Sequence, residues 1–369
     1  MTTNLTVLLS DSGTPNLTVS RTFQITVNEI NVVPVLTLPP SQPINEEVVF
    51  SATATATDAD LPANTWAFEL LSGPTGLTVA PAGAISWTPT EAQGPGSYPV
   101  SVRVTDTNTA VVNEQHLSTT NSFILTVREV NRPPVLTVPT NQVLIEETTL
   151  SVSASATDPD FPPNRLTFAL VSPPPGMTID PNTDAITWTP TEAQGPGTKV
   201  IRVGVTDYSP LAVNAQQLSA TNTFTVTVLE SNRPPVLTVP PNQVIKELTL
   251  LSISAAATDP DVPTNTLTFA LVAPPSGAAI GASSGLITWT PTEAQGSNTY
   301  TLTVTVTDTN AAAVNAKSLS VTNSFTVVVN EVNSAPSVDA MINRTVNAGQ
   351  TISFTATATD ADLPANALT

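Results

Sequence analysis

The chain has 369 residues, with 29 acidic side chains against 11 basic ones, one histidine, no cysteine and a formal charge of −18. That balance disfavours nucleic acid and anionic membrane surfaces as partners, because both are gripped by clusters of Lys and Arg. Without cysteine there is no disulfide framework, thiolate metal site or cysteine nucleophile, and no apolar run reaches the roughly 18 residues that a membrane-inserting span needs.

The first 30 residues hold two strand-like runs, Leu5–Ser10 and Thr22–Val27. Asp11 takes the place that Asp106 holds later, so residues 1–30 read as the closing strands of a truncated repeat. Met1-Thr2-Thr3-Asn4-Leu5 has neither a basic region nor an apolar core, so it does not read as a signal peptide. From about Asn31 a full unit begins with a short run at Val35–Leu38. Phe50, Ala52, Ala54 and Ala56 then alternate with Ser51, Thr53 and Thr55. Phe68 with Leu70, Ile85 with Trp87, and Tyr98, Val100, Val102 and Val104 continue the alternation, and Phe123, Leu125 and Val127 close the unit. A period of two with Thr and Val in abundance predicts strands, and nothing offers helical spacing over ten residues. About seven strands in 100 residues, separated by turns such as Ser172-Pro173-Pro174-Pro175-Gly176, predict an antiparallel β-sandwich of immunoglobulin type.

The unit then repeats. Trp87-Thr88-Pro89-Thr90-Glu91-Ala92-Gln93-Gly94 returns unchanged at Trp188–Gly195 and Trp289–Gly296, in steps of 101 residues. A period this long is a whole small domain rather than a solenoid turn of about 20–50 residues. The expected organisation is therefore residues 1–30, the closing strands of a truncated repeat; full repeats at 31–130, 131–231 and 232–332; and residues 333–369, the opening strands of a further truncated one. On this reading the chain is part of a longer repeat protein. Asn131-Arg132-Pro133-Pro134 and Asn232-Arg233-Pro234-Pro235 link the units, and paired prolines make such links short and stiff.

Ala156-Thr157-Asp158-Pro159-Asp160, followed by Asn164, resembles the opening of a cadherin repeat. Val228-Leu229-Glu230-Ser231-Asn232-Arg233-Pro234-Pro235 resembles its closing linker. The Trp-Thr-Pro-Thr-Glu-Ala-Gln-Gly segment is similar to the bacterial cadherin-like and Ig-type repeats of the dystroglycan branch, found in large surface and secreted proteins. The resemblance implies an all-β chain of tandem seven-stranded immunoglobulin/cadherin-like β-sandwiches joined by short Pro-rich linkers. It also implies Ca²⁺ at each junction, held by both neighbouring repeats. The matching positions at the first full junction are Glu47, Glu91, Glu129 and Asn131 with Asp158, Asp160, Asn164 and Asp207. At the second they are Glu147, Glu192, Glu230 and Asn232 with Asp259, Asp261, Asn265 and Asp308. Arg132 and Arg233 stand where the family carries an Asp, and Lys246 is read in place of the first glutamate of Glu146-Glu147. Fewer ions per junction are therefore expected than in a full cadherin.

Plainer explanations exist for each feature. An Asx-type turn accounts for one Asp of an Asp-x-Asp, but less well for a pair plus a downstream Asp in every unit. Glu91, Glu192 and Glu293 are equally readable as polar loop residues beside a required proline. Trp87, Trp188 and Trp289 are in phase with an inward Ile two residues earlier, which favours core over sugar-stacking platforms; Trp66 is expected in the core as well. His116 is replaced by Gln217 and Ser318 in the sister units, so no repeated Ser-His-Asp site is possible. The expectation is a non-enzymatic structural or adhesive segment of an extracellular or cell-surface bacterial protein. Its partners would be its own neighbouring repeats and a ligand of one of two kinds, another surface protein or a polysaccharide, with no membrane insertion. The alternatives left open are ligand-gripping repeats and spacers for a secreted enzyme.

Overall fold

A computed structural model describes residues 1–61 and 63–369 of the chain. Between Val35 and Asn330 the same sandwich is built three times. In the first copy, one sheet has four strands in the order Gln42–Asn45, Ser118–Arg128, Gly96–Thr107, Thr65–Ser72. The pairing of Gln42–Asn45 with Ser118–Arg128 is parallel and the other two are antiparallel. Facing it, Phe50–Thr53, Ala84–Trp87 and Thr78–Val79 form a three-stranded sheet, and Val35–Thr37 pairs with Thr55–Thr57. The expected seven strands are recovered with two of them broken. The first splits into Val35–Thr37 and Gln42–Asn45, which join different sheets. The second is interrupted at Ala54, whose N–H is donated to Gly83 O at 2.8 Å.

The alternation read from the sequence becomes the core. Val100, Val102, Val104, Phe123, Leu125 and Val127 point inward and are buried, as are Ile85 and Trp87 opposite them. Trp87, Trp188 and Trp289 are each 1% exposed, which excludes them as open stacking platforms. Trp66 is only half-buried, packed against the edge of the first core rather than inside it. The intervening Thr and Ser face solvent, where β-branched side chains suit a pleated surface. Outside these copies, Thr2–Ser10 pairs with Thr18–Thr26, and Ser337–Val338 with Ala358–Thr359. No helix among the described residues is long and apolar enough to cross a membrane.

The recurring octapeptide ties the core of each sandwich to its pole. Trp87 fills the core and its Nε1–H reaches Thr75 O at 3.2 Å. Thr90 and Gln93 cap a single 3₁₀ turn, Glu91–Gln93, through Thr90 N–H to Gln93 Oε1 at 2.9 Å. Gln93 Nε2 then ties that turn to the same Thr75 O at 3.1 Å. The arrangement recurs with Trp188, Gln194 and Pro175 O, and with Trp289, Gln295 and Ser276 O. Within the octapeptide the side chain of Glu91 takes no part in this bracing and is left pointing toward the next repeat, where it meets Phe161.

Candidate metal centre

Three segments meet at the far pole of each sandwich: the turn after Gln42–Asn45, the 3₁₀ turn, and the end of Ser118–Arg128. Glu46 N–H is donated to Arg128 O at 3.2 Å and Glu47 N–H to Pro89 O at 2.7 Å, which brings the three together. Carboxylate oxygens of Glu46, Glu91 and Glu129 consequently lie within 4.8 Å of one another, as do those of Glu146, Glu192 and Glu230, and of Glu247, Glu293 and Glu331. Asp58, Asp60 and Asp106 make a fourth such group on the opposite pole of the first sandwich.

The next repeat closes over each glutamate triad. Phe161 N–H is donated to Glu91 Oε1 at 3.0 Å, and Val213 N–H to the backbone oxygen of Glu129 at 3.0 Å. The linker Asn131 is buried and held on every side. Its N–H is donated to Asn214 Oδ1 at 2.9 Å, Asn214 Nδ2 returns a bond to its carbonyl at 2.8 Å, and its own Nδ2 reaches Asp207 Oδ1 at 3.0 Å. Asn164 Nδ2 bonds both Asn131 Oδ1 and Asp160 Oδ2, at 3.0 and 2.6 Å. Both Asp160 oxygens accept the Arg132 N–H, and Asp158 Oδ1 accepts the Asp160 N–H in an Asx turn. The second junction repeats this with Asn232, Asn315, Asp308, Asn265, Asp261, Asp259 and Glu192.

After those bonds are made, one oxygen on each of five carboxylates at each full junction remains buried without a hydrogen-bond partner among the described residues. They are Glu46 Oε2, Glu91 Oε2, Glu129 Oε2, Asp158 Oδ2 and Asp207 Oδ2 at the first, and the same atoms of Glu146, Glu192, Glu230, Asp259 and Asp308 at the second. Leaving a buried charged oxygen unpaired is costly, and the titration of the groups reflects it. Burial, followed by the charges of Glu46, Glu91, Asp160 and Asp158, pushes the Glu129 carboxyl up to about 7. Glu146 is also pushed up to about 7, by burial against the pull of the Ser231 N–H and with the charges of Glu192, Glu230 and Asp261 adding to it. Burial likewise raises Glu46, Glu91, Asp158, Asp160, Glu230 and Asp259 above the ordinary carboxylate range. An all-oxygen donor set drawn from two neighbouring repeats fits a hard divalent cation such as Ca²⁺, which takes six to eight oxygens.

The geometry departs from the sequence reading at two points. Glu47 and Glu147 do not join the triads; Glu46 and Glu146 do, each 2% exposed. Successive residues of an extended chain face opposite ways, and Glu47 and Glu147 sit at φ 55° and 61°, which turns them outward to pair with Arg132 and Arg233. Lys246 is not the counterpart of Glu146: Glu247 is, and Leu248, at φ 60°, takes the outward place of Glu147. Glu91, Glu129, Asp158 and Asp207, with Glu192, Glu230, Asp259 and Asp308, are brought together with free oxygens. Asn131, Asn164, Asn232, Asn265, Asp160 and Asp261 sit in the same cluster with most of their polar atoms engaged in bracing it. The bracing asparagines Asn113, Asn214 and Asn315 were missed, although a Val-Asn recurs there at the repeat spacing. So was Gly94. A Cβ on it would fall on the Glu46 carboxylate, and one on Gly195 or Gly296 on Glu146 or Glu247, so the octapeptide ends in glycine to let a glutamate lie flat beneath it.

A chain of all-β sandwiches of about 100 residues joined in tandem is an immunoglobulin-like repeat protein. The Putative Ig domain family matches residues 31–128, 133–229 and 234–330, and the chain belongs to that family. No curated protein matches it. Among solved structures it is similar to mouse Cadherin-23 EC22-24, at 18% identity over 81% of this chain and 99% of that one, with a TM-score of 0.47. It is also similar to the Protocadherin GammaB4 extracellular domain (19% identity, 98% of this chain and 61% of that one, TM-score 0.45). Drosophila N-cadherin EC1-4 follows at 15% identity, 89% and 83% coverage and a TM-score of 0.38.

Proposed function

We propose that the chain is a non-enzymatic structural or adhesive segment of a large extracellular or cell-surface bacterial protein, with repeats 31–130, 131–231 and 232–332 stiffened end to end by Ca²⁺. The observation that carries this reading is the set of five buried, unpartnered carboxylate oxygens at each full junction, supplied by the two repeats it joins. Such a set repels itself when empty of cations and holds two domains together when one binds. Glu46, Glu91 and Glu129 with Asp158 and Asp207 would hold the ion between repeats one and two. Glu146, Glu192 and Glu230 with Asp259 and Asp308 would hold it between two and three. The bound ion supplies charge neutralisation and a shared anchor, and the asparagine braces keep the acidic residues in place to receive it. Adhesion to a surface protein or polysaccharide is the role this rod would serve.

The test is to titrate the full chain with Ca²⁺ by calorimetry and to follow its maximum dimension by small-angle scattering. Binding at the junctions, a longer particle and a higher melting temperature are expected with Ca²⁺, reversed by chelator. Mg²⁺ should substitute poorly, because it demands a small octahedral shell. No binding at millimolar Ca²⁺, together with identical scattering in chelator, refutes the metal reading.

A further inference from the structure

The two full junctions carry a second device that uses no metal. Arg132 is rooted in repeat two, its N–H bonded to both oxygens of Asp160, and its guanidinium reaches back to pair with Glu47 of repeat one. Glu47 is rooted as firmly, held outward by its positive φ and by its N–H on Pro89 O. Arg233 reaches Glu147 in the same way across the next junction, and its Nε lies 3.8 Å from Oε2 of Glu192, a member of the glutamate triad. After repeat three both partners are gone together: Leu248 stands in the place of the glutamate and Ser334 in that of the arginine. Before repeat one the arginine position is Val32. Paired presence and paired loss at equivalent positions of one chain mark a matched interaction rather than two unrelated surface charges.

We infer that Arg132 and Arg233 act as built-in cations, strapping repeat one to two and two to three when no divalent ion is bound. The junction after repeat three is built without the strap. A guanidinium keeps its charge at any physiological pH, so this restraint persists where the carboxylates alone would drive the repeats apart. Its partners are half-exposed, which limits each strap to the few-fold effect of a surface ion pair and makes it sensitive to salt. Two rooted ends reduce the entropy lost in closing it. The chain therefore carries two kinds of joint: the two full junctions, which stay partly ordered without cation, and the strapless ones before repeat one and after repeat three, which depend on it wholly.

The absence of cysteine allows a direct test in the full chain. Ser86→Cys and Thr187→Cys place spin labels at equivalent exposed positions in repeats one and two, and their distance distribution is recorded in chelator at low salt. Glu47→Arg should broaden it, raising the open-to-closed ratio about threefold, the size a surface ion pair commands. Glu47→Leu with Arg132→Ser, a copy of the third junction, should do the same. Glu47→Arg combined with Arg132→Glu should narrow it again, and molar salt should broaden the wild type to match the single variants. Unchanged width in the single variants, or a charge swap as broad as they are, overturns the inference. Because every measurement is made without divalent ions, its outcome is separate from whether Ca²⁺ binds at all. Thermal melting of each variant confirms that the repeats themselves are intact, and the salt series on the unmutated interface decides the matter for any that are not.

Discussion

The junction between repeats one and two and the one between repeats two and three present the same acidic residues, yet the burden of crowding them falls on different members. At the first, burial raises Glu46 but the Val130 N–H and the charge of Arg132 pull it back, whereas no hydrogen bond or positive charge offsets the burial of Glu129, and Glu129 is the group pushed up to about 7. At the second, burial raises Glu230 but Asn310 Nδ2, donated to its Oε1 at 2.9 Å, pulls it back, and Glu146 is the group pushed up to about 7. The position of Asn310 is occupied in repeat two by Ser209, buried but too short to reach across. The total repulsion is a property of the constellation; which carboxylate bears it is set by the hydrogen bonds and charges beside each one. Such coupled groups titrate as a set rather than singly.

Removing one free oxygen from each site in turn gives the largest expected effect. Asp158→Asn should weaken cation binding between repeats one and two by roughly a hundredfold, since ligand charge sets affinity at such sites, and leave the other junction untouched. Asp259→Asn should do the converse. Calorimetric stoichiometry reads both, and a single variant that silences both junctions would show that the sites are not separate. Gly94→Ala comes next. Its methyl would displace the Glu46 carboxylate, costing about 1–3 kcal/mol in repeat one as overpacking does and lowering cation affinity at the first junction alone. Shortening the displaced side chain with Glu46→Asp should restore much of the stability. Melting temperature and binding isotherm of the single and double variants check this, and full affinity in Gly94→Ala would refute the role given to the glycine.

Both junctions share a response to pH whose sign follows from the raised carboxylates. Between the ordinary glutamate value of 4.5 and about 7 the folded state holds protons that the unfolded chain has already released. In chelator, stability is therefore fully present in acid and is lost as pH rises through that window. With Ca²⁺ present the trend should reverse, because deprotonation frees the ligands. Melting temperature recorded across that window in chelator and in Ca²⁺ tests it; parallel curves would mean that the raised groups are not the cation's ligands.

Much of the architecture was legible because it rests on periodicity. Alternating Val and Thr, an inward Trp two residues after an inward Ile, and a step of 101 residues required no tertiary information. The residues picked out by the resemblance lie at the poles of the sandwich, where the carboxylates cluster. What was hidden lay in the turns. Glu46-Glu47 offers two identical side chains, and only the positive φ at Glu47, unusual for a residue other than glycine, decides which one faces in. The repeat itself held the clue, since one step on from Glu146 falls on Glu247, whereas one step on from Glu147 falls on Leu248. Trp66, expected in the core because Leu166 and Leu267 take its place in the sister repeats, shares with them a half-buried position packed against the core.

The smallest effect tests the comparison most closely. Asn310 braces its own loop by accepting the Ala312 and Ala313 N–H groups on Oδ1, at 3.2 Å each, which leaves Nδ2 free to cross to Glu230. Ser209 begins the same loop in repeat two, its N–H on Gln216 O at 2.9 Å as that of Asn310 is on Lys317 O at 3.0 Å. The backbone is thus already set to present an amide at this position of repeat two. Ser209→Asn should place a donor on Glu129, and because a hydrogen bond to the charged form favours it, Glu129 should titrate below about 7 in the cation-free chain. Asn310→Ser should move Glu230 further up. Carbon-13 spectra of the glutamate carboxyls, recorded against pH in chelator, follow each group individually. Opposite shifts in the two variants would establish that one amide apportions the charge at a junction. If Glu129 does not move in the Ser209→Asn variant, the difference between the junctions has another origin. The second contact of Arg233, on Glu192, is then another asymmetry to examine.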